Sequence, residues 1–428
     1  MNVLHLSTGD SKGAFYGAYR THINLQRYGH DSTMFVVEKT SNDENVISVE
    51  NIRHKVLNFF IKLIRRSLVR WNDVENKYYL LYNSTFSLNE LYYSYKKKPD
   101  LIIIYYVAGF LSDYDIYKIQ KKYRCPVAFY LMDAAMFTGG CHYPWRCEGY
   151  IHGCDNCPAM KFPNLIKLPA YMFNNRKKYY QEMDCFFLSA SKWLDERCNK
   201  SGIKAKLGIK KAIIGIDENI FSPRPLDSAQ KHIQINIPEG RRVIFLGAQS
   251  LGDPRKGVKY VVEALNIIKK SHPEHLSKVS LLTVGNKAEL QLPECIPVIN
   301  IGFISDKDKY PFLYNFADGF ICPSIEDAGP MMINEALMSG VPVVAFKVGV
   351  AEDLIVDGRN GFLARQVNSN ALAEAILNLL RLNDSSLDAQ KEYARQYALE
   401  KCSAHTQVRA IESLIGESSN SFNGDLNF

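Results

Sequence analysis

The stretch CPSIEDAGPMMINEALMSGVPVVAF, residues 322–346, decides the fold. The apolar run that ends at Cys322 predicts a buried strand. A helix is expected from about Met331 to Met338, because Pro330 suits the first helical position. A second apolar strand, Val341–Phe346, follows at once. Strand, helix and strand this close together predict a βαβ unit in a parallel sheet.

Two acidic residues, Asp327 and Glu335, mark the loop and the helix of this unit. Ligands of parallel sheets bind at the carboxyl ends of the strands, where the Asp327 loop is expected. The helix start at residues 330–333 offers backbone N–H groups and a partial positive charge, which suit an anion or sugar hydroxyls. On spacing alone, the favoured alternative is structural, with Asp327 as a helix-start acid and Glu335 as a solvated side chain.

The same stretch resembles the E-x7-E signature of retaining glycosyltransferases of family 4, with Asp327 in place of the first Glu. This variant is similar to a subgroup of bacterial polysaccharide glycosyltransferases. The resemblance implies that Glu335 binds the donor ribose and that Asp327 faces the donor sugar or its leaving phosphate. It also implies that the loop amides around Gly329, Pro330 and Met331 contact sugar hydroxyls.

Composition places the chain among globular proteins with two domains. It has 428 residues, 46% hydrophobic residues and a formal charge of +7, which does not call for nucleic acid. The first residues lack the pattern of a signal peptide, and no apolar run approaches the ~20 residues of a membrane span. We therefore expect a cytoplasmic protein, in which disulfides among the ten cysteines are disfavoured.

The N-terminal residues predict an opening βαβ unit: a strand over Val3–Ser7, a helix over Ala14–Tyr28 and a strand over Thr33–Val37. Gly13, at the helix start, allows close backbone approach of a ligand, although an ordinary tight turn is an equal alternative. The segment resembles the family's first loop, which borders the acceptor side of the cleft. We count Gly13 among the candidate donor-binding residues.

Residues 54–71 predict a basic amphipathic helix. Apolar residues recur at helical spacing from Leu57 to Trp71, and five cations including Arg65 and Arg66 accompany them. Such a helix can lie on an anionic membrane surface, although packing on its own domain is the favoured alternative. The hypothesis is that this helix docks the protein to the cytoplasmic leaflet, near a lipid-linked acceptor.

Four cysteines, Cys141, Cys147, Cys154 and Cys157, cluster within one loop. Four thiolates with a terminal C-x2-C suit a closed, structural zinc site that would stabilise a loop without a core of its own. Unligated thiols, a fortuitous disulfide and an iron–sulfur cluster are the alternatives. The histidines of the loop, at positions 142 and 152, are spare ligand candidates.

Asp133 is expected at the carboxyl end of the strand Val127–Met132. The segment around it resembles the same transferase subgroup, which implies a catalytic position for Asp133 at the cleft. Many family members carry His immediately before this Asp, and this chain has Met132. A histidine contact to the donor sugar is therefore missing or comes from elsewhere.

Arg255 and Lys256 directly precede a helix expected from about Val258. Two cations beside helix N–H groups suit a diphosphate, although a solvated basic loop is an equal alternative. In the family pattern an Arg and a Lys bind the donor diphosphate. Lys256 matches the Lys, and Ala248 stands at the usual Arg position, so Arg255 is expected to supply the second cation.

The sequence as a whole predicts an α/β protein with two Rossmann-like domains facing a cleft, the GT-B fold. The expected domains are 1–210 for the acceptor, 211–395 for the nucleotide sugar donor, and a terminal helix and tail, 396–428, that packs back on the first domain. The resemblance implies transfer of a sugar from a nucleotide diphosphate sugar to a glycan, with retention at the anomeric carbon and without a catalytic metal.

Two rival functions stay open. A non-catalytic sugar- or nucleotide-binding protein on the same fold is one, since Met132 and Ala248 depart from the pattern. A nucleotide-sugar epimerase is the other, and it would convert free nucleotide sugar without an acceptor.

Overall fold

A computed structural model describes residues 1–11, 13–49, 52–70, 79–238, 240–286, 290–304, 306 and 308–422. The chain divides into two compact units. The first unit comprises Met1–Ile213 and Gln407–Phe428, and the second comprises Ile214–Thr406. Within the described residues, no helix is both long enough and apolar enough to cross a bilayer.

The first unit contains a parallel sheet of seven described strands in the order β3-β2-β1-β4-β5-β6-β7. Its strands are β1 (Asn2–Gly9), β2 (Asp31–Glu38), β3 (Val46–Ser48), β4 (Leu101–Ile104), β5 (Val127–Leu131), β6 (Cys185–Ser189) and β7 (Ile209–Lys211). Its helices are α1 (Gly13–Arg27), α2 (Ile52–Leu68), α3 (Leu88–Ser94), α4 (Asp113–Tyr123), α5 (Gly149–His152), α6 (Leu168–Glu182) and α7 (Lys192–Lys200).

The central strands of this sheet are buried throughout, as their unbroken apolar sequences require. All four residues of β4 and all five of β5 are buried. A strand covered on both faces reads as a continuous apolar run rather than as an alternating one. The connecting helices supply the cover, and β1 pairs with β2 on one side and with β4 on the other.

The last described helix, α15 (Ala404–Phe422), bonds to the first unit through Gln407. The Gln407 side-chain amide donates to the Thr21 hydroxyl at 2.9 Å and to the Tyr130 hydroxyl at 3.0 Å. Its Oε1 accepts from Asn24 at 2.8 Å. These buried bonds tie the end of the chain to α1 and β5.

The second unit contains a parallel sheet of six described strands in the order β10-β9-β8-β11-β12-β13. Its strands are β8 (Arg242–Ser250), β9 (Val279–Asn286), β10 (Val298–Gly302), β11 (Gly319–Cys322), β12 (Val343–Phe346) and β13 (Gly361–Ala364). Its helices are α8 (Leu226–Gln230), α9 (Val258–Ser271), α10 (Pro273–Leu276), α11 (Met331–Met338), α12 (Ala351–Leu354), α13 (Ser369–Leu380) and α14 (Asp384–Cys402).

The predicted βαβ unit is present as β11, α11 and β12, and β11 pairs with β12 in parallel. The second strand begins at Val343 rather than Val341, because Pro342 has no N–H to give to a ladder. The α13 cap is Asn368, whose side-chain oxygen accepts from the Ala371 N–H at 2.9 Å. The two Rossmann-like α/β units expected from the sequence are confirmed.

Helix α2 forms as predicted, but its apolar stripe is rotated from the expected one. Leu57, Ile61 and Leu68 are only partly exposed and lie towards the protein. Phe60 and Ile64 lie on the exposed side. Trp71, the last residue of the predicted stripe, lies outside the described residues.

Candidate functional site

The candidate donor site lies on two loops that the sheet of the second unit places side by side. Strand β11 pairs with β8 in parallel, with Ile321 opposite Leu246. The loop after β8 carries Arg255 and Lys256, and the loop after β11 carries Asp327. The Ile325 N–H donates to the Arg255 carbonyl at 2.8 Å, so the two loops are joined directly.

Lys256 and Asp327 form an ion pair between these loops. Lys256 Nζ donates to Asp327 Oδ2 at 2.6 Å, and both side chains are largely buried. Burial alone would lower the pKa of the Lys256 ammonium, but the charge of Asp327 and its hydrogen bond outweigh burial and raise this pKa. Lys256 is therefore charged at neutral pH and held in one place.

Two glycines allow the backbone to approach this pair closely. Gly257 has a φ of 65°, and a Cβ there would lie 1.9 Å from the Pro323 carbonyl oxygen. Gly349 has a φ of 59°, and a Cβ there would lie 2.5 Å from the Asp327 carbonyl oxygen. Both positions require a residue without a side chain, and both fix the path of the Asp327 loop.

Asp327 does not cap the helix that follows it. Its Oδ1 accepts from the Gly329 N–H at 3.2 Å, and the residue before α11 is Pro330, which makes no side-chain cap. The Asp327 carboxylate is thus bonded to Lys256 and to its own loop. The helix-start role that spacing favoured is wrong for Asp327.

Glu335 lies one turn into α11 and is only 4% exposed. Its Oε2 accepts from the Tyr314 hydroxyl at 2.7 Å. A solvated role is therefore wrong for this acid. A buried carboxyl group held by a hydrogen bond is suited to orienting a hydroxyl ligand.

Arg255 lies beside Lys256 on the short 3-10 helix Pro254–Lys256 that precedes α9. Its guanidinium Nη2 donates to Asp253 Oδ2 at 2.7 Å, and its backbone N–H donates to Asp253 Oδ1 at 3.0 Å. Ala248 is buried in β8. The second cation thus stands on this turn, with its orientation set by Asp253.

In the first unit, the structure places Gly13 and Asp133 at the carboxyl edge of the sheet, after β1 and β5. Asp133 is buried, its Oδ1 accepts from the Ala135 N–H at 2.8 Å, and its Oδ2 lies 2.5 Å from His142 Nδ1. His142 Nε2 lies 3.2 Å from the Tyr82 hydroxyl. His142 is thus engaged by both Asp133 and Tyr82.

Aromatic contacts connect these two positions along the edge of the sheet. The His142 ring lies 4.7 Å from the Tyr106 ring, which lies 5.1 Å from the Phe15 ring at the start of α1. Tyr106 follows β4, the strand between β1 and β5. A histidine therefore does accompany Asp133, although it comes from position 142 rather than 132.

The four cysteines lie on the loop between β5 and α6, and all are free thiols. The Gly139 N–H donates to Cys154 Sγ at 3.2 Å. Three residues of this loop, Trp145, Cys154 and Asn156, have left-handed backbone with φ between 51° and 58°. Non-glycine residues adopt this conformation only where their surroundings impose it.

The described residues do not bring three or more His, Cys, Asp or Glu side chains into an arrangement that could hold a metal ion. The zinc site therefore stays a prediction. All ten cysteines lie within the described residues as free thiols.

The comparison with protein families concerns the unit that carries Lys256, Asp327 and Glu335. Residues 240–382 match the family described as Glycosyl transferases group 1. The second unit contains a glycosyl transferases group 1 domain. All the candidate donor-site residues of this unit lie within the matched range.

Two curated relatives resemble longer parts of the chain. A protein of Escherichia coli K12 named as a colanic acid biosynthesis glycosyl transferase, WcaC, is 24% identical over 289 residues, which are 63% of this chain and 65% of that protein. A phosphatidyl-myo-inositol mannosyltransferase of Mycobacterium leprae is 32% identical over 168 residues, 37% of this chain and 43% of that protein. The chain thus spans less than two thirds of the length of these relatives.

The crystal structure of Anabaena Alr3699/HepE in complex with UDP is similar over almost the whole chain. The TM-score is 0.63 at 16% identity, with 97% of this chain and 100% of that chain covered. At this identity the likeness shows the fold alone. The GT-B fold expected from the sequence is confirmed.

Sequence reasoning missed three partners of the site residues. Tyr314 lies a few residues before the stretch 322–346 and belongs to no motif. A tyrosine hydroxyl can nevertheless donate to a buried acid. Asp253 lies two residues before Arg255, where its carboxylate could have been expected to bond the following turn. His142 belongs to the cysteine loop, where the sequence predicts a spare metal ligand, and only the fold brings it to Asp133.

Proposed function

We propose that this protein is a glycosyltransferase that moves a sugar from a nucleotide diphosphate sugar to a glycan or lipid-linked acceptor in cell-surface polysaccharide biosynthesis. The observation that carries the proposal is the Lys256–Asp327 pair, with 2.6 Å between Nζ and Oδ2, inside the group 1 domain. A buried, oriented cation at the strand ends is what a departing diphosphate needs. The UDP bound to the HepE structure supports a nucleotide donor.

Different residues of the second unit bind different parts of the donor. Lys256, Arg255 and the backbone N–H groups at the start of α9 bind the diphosphate. Glu335, oriented by Tyr314, accepts hydrogen bonds from the ribose. Asp327 and the backbone of 329–331 contact the donor sugar, and Asp327 also holds the Lys256 ammonium in position.

The reaction proceeds with retention at the anomeric carbon. The bond between that carbon and the leaving phosphate oxygen breaks, and the acceptor hydroxyl oxygen bonds to the carbon on the same face. The hydroxyl proton passes to the leaving phosphate, which acts as the base. Lys256 and Arg255 stabilise the negative charge that develops on the diphosphate.

On this proposal the first unit supplies the acceptor side, with Asp133 in a catalytic position and Gly13 among the donor-binding residues. The relative named as a phosphatidyl-myo-inositol mannosyltransferase supports a lipid-linked acceptor, and the relative named for colanic acid biosynthesis supports a polysaccharide product. On this proposal the protein works in the cytoplasm, at the inner face of the cell membrane.

The four-cysteine loop is proposed to hold a structural zinc ion. The clustering of Cys141, Cys147, Cys154 and Cys157 within one loop, with an N–H donor on Cys154 Sγ, supports this role. Zinc bound by four thiolates would stabilise the loop and take no part in sugar transfer.

Product analysis tests the proposed reaction. The purified protein is incubated with a panel of nucleotide sugars, with and without a bacterial lipid extract, and the products are identified by NMR and mass spectrometry. Release of nucleoside diphosphate together with a glycosylated lipid supports the proposal. Conversion of a free nucleotide sugar into its epimer, or binding without any turnover, would overturn it.

A further inference from the structure

The Arg176 side chain of α6 is completely buried. An arginine is seldom fully buried unless a partner offsets its charge, and here the partner is Asp113, the first residue of α4. Arg176 Nε donates to Asp113 Oδ1 at 3.0 Å, and the Tyr180 hydroxyl donates to the same oxygen at 3.0 Å. This ion pair fixes the guanidinium between α4 and α6, so its other N–H groups have set directions.

One edge of the guanidinium bonds to the loop that follows Asp133. Arg176 Nη1 donates to the Ala135 carbonyl and to the Thr138 carbonyl, the latter at 2.7 Å. The Ala135 N–H in turn donates to Asp133 Oδ1 at 2.8 Å. Arg176 therefore holds the backbone of the residue whose N–H orients one oxygen of the Asp133 carboxylate.

The face of the guanidinium reaches the other oxygen of Asp133 by a second route. The Arg176 guanidinium carbon lies 4.6 Å from the centre of the Tyr82 ring, a cation–π contact. The Tyr82 hydroxyl lies 3.2 Å from His142 Nε2, and His142 Nδ1 lies 2.5 Å from Asp133 Oδ2. Each oxygen of this carboxylate is thus connected to Arg176 by a separate series of contacts between buried residues.

Hydrogen bonds within the loop join the two routes. The Ala134 N–H donates to the His142 carbonyl at 3.0 Å, and the Thr138 hydroxyl accepts from the Cys141 N–H at 2.9 Å. The loop is therefore closed on itself, and Arg176 bonds to its first turn. Loss of the Arg176 bonds would displace both routes together.

We infer that Arg176 is a positioning residue that fixes the Asp133 carboxylate at the carboxyl end of β5. A planar guanidinium can pair with a carboxylate, donate to two carbonyls and stack on an aromatic ring at once, whereas a lysine ammonium is a single point of charge. A carboxylate that acts in sugar transfer must keep its place while the acceptor hydroxyl is aligned. The inference rests on the proposed function for the role of Asp133 in that transfer.

Proton NMR of the full chain tests the positioning without any substrate. The short, charge-assisted hydrogen bond between Asp133 and His142 should give a proton signal far downfield of the amide protons, and His142→Gln assigns the signal by removing it. We expect Arg176→Lys, which keeps a positive charge beside Asp113, to lose this signal or shift it upfield. Tyr180→Phe is the matched control and should keep the signal, because it removes a buried hydrogen bond to the same Asp113 oxygen and leaves both routes intact.

Steady-state kinetics measures the consequence for the reaction. Arg176→Lys should lower kcat by about tenfold or more, because a small displacement of a group beside the reacting atoms is costly. The KM for the donor and the calorimetric affinity for nucleotide should stay within about twofold of the wild type, because residues of the second unit bind the diphosphate and the ribose. Tyr180→Phe should match the wild type in kcat as well.

A wild-type signal or a wild-type kcat in folded Arg176→Lys would overturn the inference. So would the absence of the signal from the wild type, or an equal loss in Tyr180→Phe. If Arg176→Lys does not fold, Tyr82→Phe takes its place, because it interrupts the second route and leaves the buried ion pair intact, and an unchanged signal in Tyr82→Phe would likewise overturn the inference. A wild-type protein without turnover contradicts the proposed function alone, since the NMR signal still shows whether Arg176 positions Asp133.

Discussion

Lys256 Nζ lies 2.6 Å from Asp327 Oδ2, although the two residues are 71 positions apart in the sequence. The pair joins the loop after β8 to the loop after β11. The raised pKa of Lys256 follows from the Asp327 charge and hydrogen bond, which outweigh the effect of burial. The proposed diphosphate site is therefore built around a cation whose charge and position are both set by one carboxylate.

The pKa of Lys256 predicts how this pair contributes to stability as pH changes. The folded state holds the proton more tightly than the unfolded state, so the contribution is complete below the unfolded pKa of about 10.4 and is lost as pH rises through the folded pKa. The difference in unfolding free energy between wild type and Lys256→Met should be constant between about pH 6 and pH 9 and shrink above about pH 10.5. Urea unfolding over this range measures it, and a difference that already shrinks between about pH 7 and pH 9 would contradict the prediction.

Gly257→Ala should lower nucleotide affinity more than the same substitution at another left-handed glycine. A Cβ at Gly257 would lie 1.9 Å from the Pro323 carbonyl oxygen, so the two loops must separate. Gly358→Ala is the matched control, because Gly358 has a φ of 78° and open space around its Cβ position. Both variants bear left-handed strain of about 1–2 kcal/mol, and only Gly257→Ala should also lose nucleotide affinity. Calorimetric titration with nucleotides compares the two variants. Equal affinities would show that the close approach of Gly257 to Pro323 does not shape the donor site.

Tyr314→Phe should weaken both stability and donor binding. The change removes the hydroxyl that donates to Glu335 at 2.7 Å and leaves a buried carboxyl without that bond. We expect a loss of about 1–3 kcal/mol in unfolding free energy and a severalfold loss of nucleotide-sugar affinity. Tyr310→Phe is the control, because the Tyr310 hydroxyl donates to the Met332 sulfur at 3.4 Å. Unchanged affinity in Tyr314→Phe would argue against a binding role for Glu335.

Elemental analysis of the purified protein tests the zinc prediction. We expect about one zinc ion per chain, because four thiolates complete a tetrahedral site. Cys147→Ser should lose the ion and lower the unfolding temperature, and Cys295→Ser, an exposed cysteine outside the loop, should retain it. Iron in place of zinc would indicate a cluster, and the absence of both metals would end the hypothesis.

Periodicity and strand-end rules were sufficient to predict the two α/β units and the loops that carry the donor-site residues. The Asp327 loop is predicted at the carboxyl end of its strand, and Lys256 is predicted directly before a helix. Their contact could not be predicted, since it depends on which strands are neighbours. Strand β11 lies beside β8 because the chain crosses from β10 at the edge of the sheet back to its centre.

The orientation of α2 shows a different limit of sequence reasoning. Leu57 and Ile61 fitted a helical stripe as well as Phe59 and Leu63 did, so the pattern alone did not show which face is exposed. His54 and Arg65 bond to Thr85 and Tyr79, which lie 31 and 14 residues further along the chain, so the exposed face follows from the fold. The bond between His142 and Asp133 has the same origin, because only the folded loop returns to the end of β5.

The most direct test of the donor site is a calorimetric titration of the protein with UDP, GDP, ADP and their sugars. The proposed function predicts that one nucleotide series binds at a single site and that Lys256→Ala and Glu335→Ala each abolish or greatly weaken this binding. Circular dichroism establishes that both variants are folded. Binding by folded Lys256→Ala and Glu335→Ala with wild-type affinity would contradict the assignment, since the nucleotide would then bind without the group that neutralises its diphosphate and the group that holds its ribose.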